Sequence, residues 1–217
     1  MVTETDPSAP PLGLRESKKQ ETRQLISDHA TRLFMAQGFE QTTIAEIAAA
    51  ARVAKKTVTN YFARKEDMAL DHQDAFVALL ARTVADRASG ESPLAALRRT
   101  FTDAAAAADP VAGFAGPAFV RMIADSPTLS TRLRDLHDLR EAALAEALAE
   151  ATGTEPDDIT PRTAAALLGA VHRTLFQRIQ ELTLAGQDNA RISAVVTAEA
   201  ATAFGLLEPS LADYAAG

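Results

Sequence analysis

The stretch TTIAEIAAAARVAKKTVTNYFARKED, residues 42 to 67, decides how this chain is read. Thr43 followed by Glu46 has the spacing of a capping box, in which hydroxyl and carboxylate satisfy the open backbone N–H groups at a helix start. Ile44, Ile47, Ala48 and Ala51 then recur at helical spacing and form one buried side. A turn near Arg52 to Ala54 leads into a second short helix, Lys55 to Phe62, whose Val58 and Phe62 stand four apart and face inward. Its polar residues are left facing out. That is the outline of a helix-turn-helix, whose second helix enters the major groove of DNA.

Upstream, Ile26, Ala30, Leu33 and Phe34 make one face of a preceding helix, with Ser17 and Gln20 as a capping box at its start and Gly38 as its stop. Residues 1 to 14 hold three prolines and little to bury, and are expected to form a disordered tail. Residues 15–67 are then a three-helix DNA-binding module and residues 68–217 a separate body. After Arg64 the periodicity of Leu70, Phe76, Leu79, Leu80 and Val84 predicts one long helix. Further helices are predicted over Pro93 to Ala108, Val111 to Asp125, Leu129 to Thr152, Pro161 to Ala185 and Asn189 to Leu207. No segment alternates with the period of a strand, so the fold class is all-α, with about nine helices.

The formal charge of -7 excludes indiscriminate attraction to nucleic acid, but the charge is unevenly spread. Residues 15–67 carry ten Lys/Arg against seven Asp/Glu, while residues 68–217 carry twelve against twenty. A basic module is joined to an acidic body. The absence of cysteine removes disulfides, thiolate metal sites and cysteine nucleophiles. With neither a secretory signal nor an apolar run of ~20 residues, the expected location is the cytoplasm, away from any membrane.

On the second helix of the motif, Lys55, Lys56, Thr59 and Asn60 are the candidates for reading bases. Lys can bond guanine, Asn can bond adenine through two hydrogen bonds, and a Thr methyl can touch the thymine methyl. Tyr61 offers a hydroxyl, Arg64 and Lys65 suit the sugar-phosphate backbone, and Thr43 stands at a helix N-terminus, where a phosphate is favoured.

At these residues the chain resembles the DNA-binding domain of the TetR family of bacterial transcription regulators. The likeness covers roughly Ser17 to Leu70 and rests on Ala30, Phe34, Gly38, Phe39, Thr43, Ile47, Ala48, Ala51, Val53, Tyr61, Phe62, Lys65 and Glu66. It implies that Thr43, Tyr61 and Lys65 hold phosphates while Lys55, Lys56, Thr59 and Asn60 face the groove. Four positions depart from the family pattern. The family commonly has Gly at Arg52 and Ser at Ala54, and often Gly at Lys56 and Tyr at Thr59, so the turn chemistry is unusual and the base-reading surface individual.

The resemblance also implies a C-terminal helical domain that binds a small-molecule effector and dimerises through the last two helices, setting two reading heads on a palindromic operator. Those helices are amphipathic: Ala164, Leu167, Leu168, Val171, Leu175, Ile179 and Leu182 on one, Ile192, Val195, Val196, Ala203 and Phe204 on the next. They suit either a pair within a monomer or half of a four-helix bundle between two chains. Candidate pocket residues are Phe76, Phe101, Phe114, Phe119, Met122, His137, His172 and Phe176, with Arg121 and Gln177 as further polar anchors. Phe114, Gly116, Phe119 and Met122 are favoured as a pocket wall because their helix is interrupted by Gly and Pro.

No histidine is paired at metal-ligand spacing and no nucleophile elbow or phosphate-binding glycine loop occurs, so neither a metal site nor catalysis is expected. The expected function is a ligand-responsive homodimeric repressor. An activator or a ligand-independent regulator of the same fold is the alternative, and a helical protein–protein adaptor the distant one.

Overall fold

A computed structural model describes residues 13–155 and 157–216, so the expected tail lies outside the described residues up to residue 12. Eleven α-helices and one 3-10 turn run through the described residues, with no strand among them. They form two compact units, Met1–Ala69 and Leu70–Gly217.

The first unit contains α1 (Leu14–Gln37), α2 (Ile44–Ala50), α3 (Lys55–Tyr61) and α4 (Glu66–Ala69). Helix α1 begins three residues before Ser17, whose hydroxyl donates to Glu21 one turn on, so the capping box expected there does not form. The one at Thr43 does: its hydroxyl accepts from the Glu46 N–H, and the Glu46 carboxylate accepts from the Thr43 N–H at 2.7 Å. Ile26, Ala30 and Phe34 of α1 meet Ile47, Val58, Phe62 and Met68 in a core where each is at most 3% exposed. Burying each of the larger side chains contributes about 1.5–3 kcal/mol.

The long helix expected after Arg64 is broken into two. The Asp67 carboxylate accepts from the Arg64 N–H, which starts a single helical turn. The Met68 carbonyl accepts from the hydroxyls of Ser27 and Thr31 on α1, a tertiary partner that lets the turn stop there.

The second unit holds α5 (Gln73–Ala85), α6 (Pro93–Ala106), a 3-10 turn (Pro110–Ala112), α7 (Pro117–Asp125), α8 (Pro127–Thr152), α9 (Ile159–Leu184), α10 (Asn189–Gly205) and α11 (Glu208–Leu211). Ser92, Ser126, Asp158 and Asp188 each accept a backbone N–H at a helix start, and proline follows Ser92 and Ser126 in the first turn, where its missing N–H is harmless. Helix α8 packs against α5 and α9, and α10 against α6 and α9. Leu97, Leu144, Leu148, Ala165, Leu168, Ile179, Ile192, Val196 and Phe204 are fully buried between them.

The helix expected from Val111 does not run through. Gly113 and Gly116 take φ of 123° and 79°, and α7 starts only at Pro117. A side chain at Gly113 would meet Phe176 and Ile179 at 3.2 and 3.3 Å, so the turn lies hard against α9.

Candidate functional site

Helix α3 puts Val58 and Phe62 in the core and leaves Lys55, Lys56, Thr59 and Asn60 exposed. Lys55 stands one turn from Thr59, and Lys56 one turn from Asn60, so the four form two adjacent stripes on the outward face. The Thr59 hydroxyl donates to the Lys56 carbonyl at 3.1 Å, which leaves its methyl and oxygen lone pairs for a partner. The four side chains share one surface patch.

The turn before α3 resolves the two anomalies of the sequence. Arg52 has φ of 55°, in the left-handed region, and its N–H donates to the Ala49 carbonyl while the Val53 N–H donates to Ala48. This is a complete Schellman motif at the end of α2, with arginine in the place glycine ordinarily takes. Ala54 has the extended backbone of a helix cap, φ −70° and ψ 147°, but no side chain to make the bond. Both irregularities are real features of the turn.

The far end of α3 is held from α1. The Arg23 guanidinium donates to the Tyr61 carbonyl at 2.8 Å and lies 4.3 Å from the Phe62 ring centre. This fastening spans 38 residues of chain, and no local pattern announces it.

The expected phosphate contacts fall into two groups. Arg64 is exposed and Tyr61 half-buried at the end of α3. Thr43 and Lys65 have partners within the chain. The Thr43 hydroxyl donates to Glu46 at 2.7 Å, and these bonds hold the Glu46 carboxyl below its ordinary pKa, the Thr43 backbone N–H first and its hydroxyl second. A carboxylate therefore occupies the start of α2. The Lys65 ammonium donates to the carbonyls of Phe39, Glu40 and Thr42 at 2.8, 3.4 and 3.2 Å, and stands 4.2 Å above the Phe39 ring. It staples the loop between α1 and α2.

In the second unit a cavity of about 70 Å³ is lined from α5, α6, α8 and α9, including Leu79, Leu97, Phe101, Arg140, His172 and Phe176. Of the expected pocket residues, Phe101, His172 and Phe176 line it. Phe76 and His137 stand directly behind: their rings are 5.0 Å apart, and they lie 5.7 and 5.2 Å from Phe176. Phe114 and Met122 are buried elsewhere in the body and Phe119 is half-buried, none of them in the cavity wall. Gly113, which interrupts this segment, lets it pack closely against α9 instead of leaving room. Arg121 and Gln177 point to the surface.

Arg140 is the residue that sequence reasoning passed over. It is 4% exposed, 4.5 Å over the Phe76 ring, and its Nε finds no acceptor in the chain. Burial pushes its pKa down to about 10, so it remains charged at neutral pH. Burial, then the Arg140 charge, pushes His172 well below its ordinary 6.5 and His137 down to about 4, so both imidazoles are neutral. A single positive charge sits among aromatic faces.

Among the described residues no group of acidic and histidine side chains could hold a metal ion, and no helix is long and apolar enough to cross a membrane. The sequence profile of bacterial regulatory proteins of the tetR family matches residues 26–71. The HTH-type transcriptional regulator TcmR of Streptomyces glaucescens is 31% identical over 80% of this chain and 78% of its own. Two solved structures share the fold, each with a TM-score of 0.54. SmeT, solved with triclosan, is 20% identical and matches over 85% of this chain and 91% of its own. NalD, the secondary repressor of the MexAB-OprM multidrug efflux pump in Pseudomonas aeruginosa, is 16% identical over 86% and 97%. The exposed polar face of α3, the capped helix before it and the match to TcmR along most of both chains lead to one conclusion: this chain belongs to the TetR family, a non-enzymatic family of DNA-binding transcriptional regulators.

Proposed function

We propose that the protein is a homodimeric repressor that binds a palindromic operator through α3 and releases it when a small molecule enters the body cavity. The observation that carries the first half is the four-residue patch of Lys55, Lys56, Thr59 and Asn60, exposed on a helix whose opposite face is locked in the core. In this reading those residues read base edges, while Arg64 and Tyr61 hold the sugar-phosphate backbone. Lys65 and Thr43 contribute to that backbone contact by shaping the α1–α2 loop and the start of α2, where their own bonds lie.

Dimerisation is assigned to the outer faces of α9 and α10. Thr163, Ala166, Leu167 and Ala170 on one, and Ala194, Ala198 and Ala201 on the other, are exposed in the single chain and lie at helical spacing. Mostly small residues so arranged let helices from two copies approach closely in a four-helix bundle. SmeT with triclosan and NalD as a repressor supply the precedent for effector and sign within the fold. An effector acts by preferring one arrangement of the dimer, and a coupling of about 1–3 kcal/mol changes DNA affinity roughly 5- to 150-fold.

Selection of bound DNA from a random pool tests the reading. A two-fold symmetric consensus, with half-sites about one helical turn apart, is the expected result. An asymmetric consensus, or none, would overturn the dimeric-operator reading.

A further inference from the structure

The body holds a charge that the fold does not neutralise. Arg140 lies on α8 in the wall of the cavity, and among the described residues it makes no hydrogen bond or ion pair. Other arginines of these helices do: Arg132 on α8 bonds Gln73 and Arg173 on α9 bonds Asp138. A buried guanidinium without a carboxylate is costly, and a chain keeps one only where something else receives its donors. The Phe76 face, 4.5 Å away, offsets part of that cost and offers no hydrogen-bond acceptor.

His172 stands in the same wall, 6% exposed, and its Nε2 also finds no partner. It is wedged edge-on between Phe101 at 5.9 Å and Phe204 at 5.4 Å, which fixes the imidazole plane. The one acidic residue lining the cavity, Asp109, caps the 3-10 turn by accepting the Val111 N–H at 2.7 Å. Two unsatisfied polar groups thus border one space whose other walls, Thr100 and Asp109 apart, are apolar, among them Leu79, Leu97, Phe101 and Phe176. An inorganic anion would gain nothing from those apolar walls. A carboxylate on a short apolar body uses both.

We propose that this cavity takes a small organic carboxylate, its head group seated on the Arg140 guanidinium and the His172 imidazole. The assignment rests on the reading that the body receives an effector and names the chemistry of that effector. At about 70 Å³ the space holds the head group. It is roughly half the volume that accommodates a benzene ring, so a larger acid parts α5 and α6 from α8 and α9 as it enters. That expansion is the preference for one arrangement over another through which a ligand can shift an equilibrium.

The test uses the full chain, with butyrate and benzoate as probes and butyramide and benzamide as neutral counterparts of the same shape. Calorimetry is expected to give at least about tenfold tighter binding for each acid than for its amide, the discrimination of a charge-assisted bond. Arg140→Met should abolish that preference and raise the melting temperature of the ligand-free chain, whereas a purely structural arginine would lower it. His172→Phe should weaken the acids and leave the amides unchanged. Equal affinity for acid and amide in the unsubstituted chain, or no binding of either acid, overturns the assignment whatever the variants do. An acid that binds through Arg140 yet leaves operator DNA bound would overturn the release mechanism and leave this assignment standing. Release by neutral compounds alone would do the reverse.

Discussion

Arg52 and Ala54 show how single residues set the quality of the turn that aims α3. Holding a non-glycine residue at φ of 55° costs roughly 1–2 kcal/mol, of which glycine would recover part after its greater freedom in the unfolded chain. Arg52→Gly is therefore expected to raise stability by up to about 1 kcal/mol. Ala54→Ser supplies the missing hydroxyl at a backbone already in cap geometry and should add about 1 kcal/mol. Both are measured by urea denaturation, and a loss of stability in Ala54→Ser would show that the turn differs from the one described. The departures themselves were visible in the sequence, because turn chemistry is local. Arg140 was not: three residues after His137 on a helix, it reads as a surface side chain until α5, α6 and α9 close over it.

Among the elements, the proposed function divides labour between α3, which reads, and the turn after it, which holds, and two substitutions separate the roles. Asn60→Ala should lose about 1–3 kcal/mol of discrimination at one operator position and leave the salt dependence unchanged. Arg64→Ala should weaken all sites alike and reduce the slope of log affinity against log salt by about 0.9. Lys65 was expected on the backbone, where its removal flattens the salt slope by about one unit. Its three carbonyl partners add a second expectation, that Lys65→Met destabilises the first unit by about 1–2 kcal/mol. Fluorescence anisotropy across a salt series, paired with denaturation, resolves these contributions. The capping box of α2 and the inward face of α3 were legible because each needs only residues three or four apart. The break after Ala69 was not, since it depends on Ser27 and Thr31 reaching the Met68 carbonyl from α1.

For the whole molecule, acid stability and assembly are the properties to measure. His137 and His172 are kept neutral in the folded chain, with pKa values of about 4 and well below 6.5, but titrate near 6.5 when unfolded. Below pH 6.5 the unfolded state binds protons that the folded state refuses. Stability should therefore fall as pH drops from 7 towards 4, by up to about 1.4 kcal/mol per unit for each histidine. Below about 4 His137 charges in both states and its slope vanishes. His172→Phe should flatten the profile; an unchanged profile would mean that His172 is solvated. On the outer faces of α9 and α10, Leu167→Glu and Ala198→Glu are expected to give monomers in sedimentation and to cost more than about tenfold in operator affinity. The sequence left open whether these helices pair within one chain or between two. Both faces are amphipathic enough for either, and the choice turns on residues left exposed once the monomer core is complete.

The fastening of α3 by Arg23 has a consequence for how faithfully an operator is read. Helix α3 has seven residues, too few to hold itself together in water. Its rear is pinned through the Tyr61 carbonyl and Phe62, while its front, at Ala54, carries no cap. Amide exchange should accordingly quicken from Tyr61 towards Lys55. If Lys55, Lys56 and Asn60 read bases as proposed, the steps met by the two lysines face a yielding reader and those met by Asn60 a rigid one, so a family of natural operators would drift in sequence at one end of each half-site and stay fixed at the other.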